Sequence, residues 1–191
     1  MQKGNERRKQ LLSVSLDEFI TKGFYGTSTR SICRKAGSSS GLLFHYFPNK
    51  ESIYLELVKI GVEEMCIDTV QAMQAPKEYL FQTLHGIFEQ LEDNPFYRKM
   101  FVFIDNAQHV DTGIEEVRTL LDKADIAKQW TPIIQRGQEL QCFHAGNPHA
   151  MCVALFGAVQ GIAQEKVRMQ DTPLPDVKWL MRLVEKETES C

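Results

Sequence analysis

The sequence predicts an all-α protein, with an N-terminal three-helix unit followed by a larger helical domain. Three observations carry this. Apolar residues recur every three or four positions along most of the chain, the spacing of one helix face. Where that register breaks, Ser, Asn, Gly and Pro supply helix starts and stops. No stretch alternates apolar and polar residues as a half-buried strand does, and there is no internal repeat.

Residues 1–9 are polar and expected to fray, with Arg7, Arg8 and Lys9 as a small basic arm. Leu12, Leu16, Phe19 and Ile20 then form one apolar stripe, which Gly23 ends. Phe24 and Tyr25 are expected to pack as core. The stretch from Thr27 to Lys50 reads TSTRSICRKAGSSSGLLFHYFPNK. Thr27 or Ser28 can cap a helix by accepting from its first free amides. Gly37 suits the left-handed residue that ends it. Ser38 and Ser39 can cap at once again, and Pro48 stops the second helix at Tyr46 or Phe47. Two short helices around a glycine turn make a helix-turn-helix.

Asn49 is expected to cap a long helix to about Gln74, broken by Pro76. Helices follow over Pro76–Glu92 and Phe96–Gln108, separated by the turn Asp93-Asn94-Pro95. A further start at Asp111–Gly113 opens a helix, or a broken pair with Pro132 as kink or restart, to about Gly137. Gln138–Gly146 reads as a loop. Asn147-Pro148 marks a clear helix start, because proline is preorganised at the first helical position. That helix runs to about Met169, and Asp176 opens a last one to about Lys186. The expected domains are 1–48 and 49–191, bridged by the helix over 49–75.

The net charge of −3 hides a split: residues 1–60 carry +5 and residues 61–191 carry −8. The basic end holds the helix-turn-helix, as attraction to phosphates requires. Of 191 residues 43% are hydrophobic, enough for an ordinary core. The five cysteines are odd in number and lack paired spacing, and MQKGNERRKQ contains no signal-peptide apolar run. The expectation is a cytoplasmic chain with free thiols. The most apolar stretch, Ala150–Ala163, is shorter than the roughly 20 residues that span a bilayer, so no membrane partner is expected. Neither Cys66 nor Cys142 has the cationic neighbours of a thiol sensor. Cys142, His144, His149 and Cys152 crowd together but match no common zinc finger, and no metal or other cofactor is expected. No nucleophile elbow, phosphate loop or HExxH motif is present, so the chain does not read as an enzyme.

The order of residues from Thr27 to Lys50 closely resembles the DNA-binding signature of the TetR (tetracycline-repressor-like) transcriptional regulators, with the resemblance running from Leu11 to about Val58. The resemblance implies that Ser40, Leu42 and His45 meet base edges. It places Thr29, Ser39, Tyr46 and Lys50 at phosphates, with Arg30 as a further candidate. Chemistry agrees where it speaks. A thin, hydroxyl-rich helix start fits the major groove, and a phosphate beside Lys50 would be held by lysine and free amides together. Three positions depart from the usual pattern. Phe44 lacks the common tyrosine hydroxyl, Leu42 replaces a common threonine and could touch a thymine methyl, and Ser38 replaces a valine.

Ala150, Ala154, Gly157 and Gly161 form a stripe of small residues that permits close helix approach. The resemblance puts the last two helices in a four-helix dimer interface, which Trp179 and Leu183 would complete. It also implies an inducer pocket, for which Phe81, His85, Phe88, Met100, Phe103 and Trp130 are candidates; each is equally suited to ordinary core. The reading is therefore a homodimeric repressor of a palindromic double-stranded DNA operator, released by an unknown small-molecule ligand. Two alternatives stay open: a DNA-binding regulator without an inducer, and a helical carrier or enzyme with a vestigial helix-turn-helix. The charge split disfavours the last.

Overall fold

Phe19, Phe24, Tyr54 and Phe103 form the aromatic centre of the first of two units, with Tyr54 within 5.0 Å, ring centre to ring centre, of each of the other three. The computed structural model describes residues 2–65 and 67–186; Cys66 and Cys191 lie outside them. It agrees with the all-α expectation: eleven helices among the described residues and one isolated bridge, Phe143 to Glu185.

The first unit joins residues 1–64 to 99–123. It contains α1 (Gln2–Gly26), α2 (Thr29–Ala36), α3 (Ser40–Tyr46), α4 (Lys50–Glu63), most of α7 (Pro95–Gln108) and α8 (Glu115–Lys123). Leu11, Leu16, Ile32, Leu43, Ile53 and Leu57 are sealed in its core. α4 and α7 approach so closely that a Cβ at Gly61 would stand 2.5 Å from the Ile104 side chain.

Two expectations fail at the N-terminal end. α1 begins at Gln2 instead of after residue 9. Its two arginines are tied down: Arg7 donates to the Gly37 carbonyl at 3.0 Å, and Arg8 pairs with Glu56 at 2.7 Å over the Phe47 ring. Tyr25 is not core but 73% exposed. Gly23, at φ 69° and ψ 177°, breaks the helical register there, so Phe24 is buried while Tyr25 faces outward and donates to the Asp111 carbonyl.

The second unit joins residues 65–98 to 124–191. It holds α5 (Thr69–Gln74), α6 (Pro76–Asp93), the first turn of α7, α9 (Ile126–Glu139), α10 (Pro148–Arg168) and α11 (Val177–Met181). Trp130 is fully buried between Tyr79 and Phe156, and Leu80, Leu84, Ile134, Leu155 and Val159 complete the core.

Three boundaries differ from expectation. The single helix over 49–74 is two, because Asp68 restarts the chain by accepting from the Val70 and Gln71 amides. Between α8 and α9 the restart lies at Asp125, which caps Lys128, while Pro132 sits inside α9. The last helix stops at Met181, since the segment after it is held by another pairing. His144 donates to the Val184 carbonyl and Lys186 to that of Cys142, which ties the 138–146 loop to the chain's end.

Candidate nucleic-acid interface

The helix-turn-helix is assembled by local capping. Ser28 accepts from the Ser31 amide while Ser31 reaches back to Ser28, closing a reciprocal box at the start of α2. Gly37 sits at φ 56°, where a side chain would be strained, and the Ser38 amide returns to the Cys33 carbonyl at 2.9 Å. Ser39 caps α3 by accepting from the Leu42 amide. Its hydroxyl proton remains available to a phosphate oxygen. Ile32, Ala36, Leu43 and Phe47 are buried, and α2 packs on α1 and carries α3.

The candidate contact residues differ in exposure. Arg30, Ser39, Ser40 and His45 are exposed; Thr29, Leu42 and Tyr46 are half-buried. The His45 and Tyr46 rings meet edge to face at 5.1 Å. Phe44 is 48% exposed. Lys50 differs from the others. Half-buried, it donates to the Phe24 carbonyl at 2.8 Å and lies over the Phe24 ring.

One supporting group carried no mark in the sequence. Glu18 on α1 is fully buried and pairs at 2.7 Å with Lys22 and with Lys35 of α2. Burial pushes its carboxyl up, but hydrogen bonds from Lys22, Lys35 and Ser31 outweigh that and hold it at about 2. The only hint was the i, i+4 spacing to Lys22.

In the second unit, Ala150, Ala154, Gly157 and Gly161 all lie on the exposed face of α10, beside Val153, and a Cβ at either glycine meets nothing within 4 Å. Trp179 and Leu183 are 64% and 47% exposed. The six pocket candidates do not gather in one unit. Met100 and Phe103 are core of the first, Phe103 against Phe19 and Tyr54. Phe88 and Trp130 are core of the second, Phe81 is half-buried, and His85 is exposed beside Glu89. The crowded cysteines and histidines have separate uses. Cys142 bonds the Gly137 carbonyl and His149 meets Thr131. Cys152 is buried, which pushes its thiol up to about 11. Among the described residues no helix is long and apolar enough to cross a membrane.

Residues 11–57 match the family model described as bacterial regulatory proteins, tetR family. The chain is 28% identical over 142 residues to the HTH-type transcriptional regulator PksA of Bacillus subtilis (strain 168), covering 65% of this chain and 68% of that one. It is 26% identical over 138 residues to the HTH-type transcriptional repressor KstR2 of Mycobacterium tuberculosis, 71% of this chain and 68% of the relative. The solved structure of that ketosteroid transcriptional regulator superposes with a TM-score of 0.74 at 21% identity, over 95% and 96% of the two chains. The hemolysin II transcriptional regulator HlyIIR superposes at 0.69 and 18% identity, over 96% and 99%. At these identities the superpositions establish a shared fold.

Proposed function

This chain belongs to the tetR family of bacterial regulatory proteins and is a transcriptional regulator, and from that premise we propose that it acts as a homodimeric repressor of a palindromic operator, released by a small molecule. The observation that carries the proposal is the outer face of α3. A seven-residue helix, capped by Ser39 and anchored by Leu43, leaves Ser40 and His45 exposed and Leu42 half-buried at the basic end of the chain. Small hydroxyl side chains at a helix start can enter the major groove and meet base edges. Thr29, Arg30, Ser39, Tyr46 and Lys50 surround them and would meet phosphates, which position without specifying.

One such module makes few contacts, so two-fold pairing is required for affinity, with half-sites about one helical turn apart. The exposed face of α10, with Trp179 and Leu183, is the surface proposed for pairing. Ligand would bind better to a dimer whose reading heads are wrongly spaced, and release follows from that difference in affinity. A small-molecule-responsive regulator of this kind works in the cytoplasm and needs no catalytic residues.

The test is selection of bound duplexes from a random library, followed by fluorescence anisotropy in a salt titration. Enrichment of a palindrome whose binding is lost in Ser40→Ala or His45→Ala supports the proposal. Weak binding without sequence preference that vanishes at modest salt leaves only the electrostatic term and rejects it.

A further inference from the structure

Ion pairs in the first unit are of two kinds. Arg8–Glu56, Lys59–Glu116 and Lys99–Asp17 leave both partners open to water, and such pairs hold little in place. The Glu18 carboxylate is wholly buried. Its Oε2 accepts from Lys22 at 2.7 Å, one turn further along the same helix. Its Oε1 is sealed from solvent and meets Nζ of Lys35 at 2.7 Å. Lys35 belongs to the last turn of α2, so this second arm crosses from α1 to the helix-turn-helix. Thr27 braces the same corner, its buried hydroxyl 3.0 Å from the Glu18 carbonyl oxygen and 2.8 Å from that of Gly23.

The seat of α2 matters because α2 lies on α1 and carries α3. Its apolar contact is small: the helix has eight residues, and Ile32, Cys33 and Ala36 are its buried apolar side chains. Apolar burial is not directional, so a helix this short can slide or turn on such a seat at little cost. The ion pair is different. Any shift that parts Lys35 from Oε1 leaves a buried charge short of a partner, which is strongly unfavourable. We propose that Glu18 is a positioning residue for sequence reading: through Lys35 it fixes α2 on α1 where α3 meets base edges correctly, and so raises affinity for the operator over other DNA without itself touching DNA. The inference rests on the proposed operator reading and deepens it. Base edges demand exact placement, whereas general attraction to phosphates does not. A negative charge buried at the basic end is also the opposite of what phosphate attraction alone calls for. It lowers general affinity and sharpens discrimination.

The test compares affinity for the duplex that wild type selects with affinity for a scrambled duplex, in full-length protein shown by circular dichroism to be folded. Glu18→Gln should lose roughly tenfold or more on the selected duplex, the scale of one mismatched base pair. Its affinity for the scrambled duplex should hold or rise, since one negative charge per protomer is gone. Lys35→Met should narrow the same ratio, although its charge changes in the opposite sense. Lys22→Met is the control. It removes the same charge from the same carboxylate but lies on α1, so it should leave the ratio within about twofold of wild type. Glu18→Gln combined with Lys35→Met should lose no more discrimination than either alone. A Glu18→Gln ratio equal to that of wild type, equal effects of Lys22→Met and Lys35→Met, or additive losses in the double variant would each overturn the assignment. Should Glu18→Gln fold poorly, the two lysine variants decide, because both alter side chains that reach the carboxylate from the surface. Intact discrimination in the variants rejects this inference alone, whereas a wild type that selects no sequence rejects the operator reading and this inference with it.

Discussion

Lys50 Nζ donates to the Phe24 carbonyl oxygen at 2.8 Å and stands 4.1 Å from the centre of the same residue's ring. The contact explains how a lysine is tolerated in the first turn of α4, where the helix dipole disfavours a cation. The same carbonyl also accepts from the Thr27 amide at 3.4 Å. In the DNA-bound state a phosphate would compete for the same ammonium. Lys50→Met is therefore expected to cost about 1 kcal/mol of stability, for one charged hydrogen bond and a cation–π contact. It should also weaken duplex binding and lower the slope of log affinity against log salt by ~2 per dimer. A stability loss in urea unfolding with an unchanged salt slope would confine Lys50 to a structural role.

The buried Glu18 makes stability depend on acid. Its carboxyl is held at about 2 in the folded chain, below the ordinary 4.5, so the native state binds the proton less readily than the unfolded one. That stabilisation is complete above pH 4.5 and is lost as pH falls towards 2. Glu18→Gln should cost ~1–2 kcal/mol at pH 7, because Lys22 and Lys35 keep partial access to water and can be resolvated. The variant should lose less stability than wild type between pH 5 and pH 2.5 in urea melts. Parallel losses in the two proteins would show that another carboxylate governs the acid limb.

Gly41 occupies the second position of α3, and a Cβ there would meet nothing within 4 Å. The fold therefore does not require glycine at this site. Gly41→Ala should raise stability by ~0.5 kcal/mol through helix propensity; if α3 enters the groove as proposed, the added methyl should weaken duplex binding several-fold. A variant that is both more stable and equally tight on DNA would place Gly41 outside the interface.

How much of this was legible depended on whether the deciding contact is local. Ser28, Gly37, Pro48 and Asn147-Pro148 act within a few residues of themselves, and the helix ends they predict are the ones observed. Asp68 and Asp125 restart helices by equally local caps, but the apolar register runs on past them and concealed the breaks. Tyr25 follows Phe24 in an apolar pair, and only the backbone angles at Gly23 decide which of the two is buried. Helical spacing says which face of a segment is apolar and not what covers it. So Met100 and Phe103 could be taken for pocket lining, although they pack with Gly61 and Tyr54 in the first unit. Arg98 is buried while Lys99 pairs with Asp17, and nothing in Phe96-Tyr97-Arg98-Lys99 tells the two apart.

The outer face of α10 yields the most direct test of assembly. Ala150, Val153, Ala154, Gly157 and Gly161 are exposed together, and a Cβ added at Gly157 would meet nothing within 4 Å. Gly157→Arg should consequently leave the monomer's fold and helicity intact. In a close-packed interface of standard size, about 800 Å² per partner, a buried guanidinium without a counter-charge would prevent association. Light scattering should show a dimer for wild type and a monomer for the variant at micromolar concentration. Operator affinity should fall by roughly two orders of magnitude, because a single reading head retains only one half-site's contacts. A Gly157→Arg chain that remains dimeric and binds as tightly as wild type would move the interface away from α10.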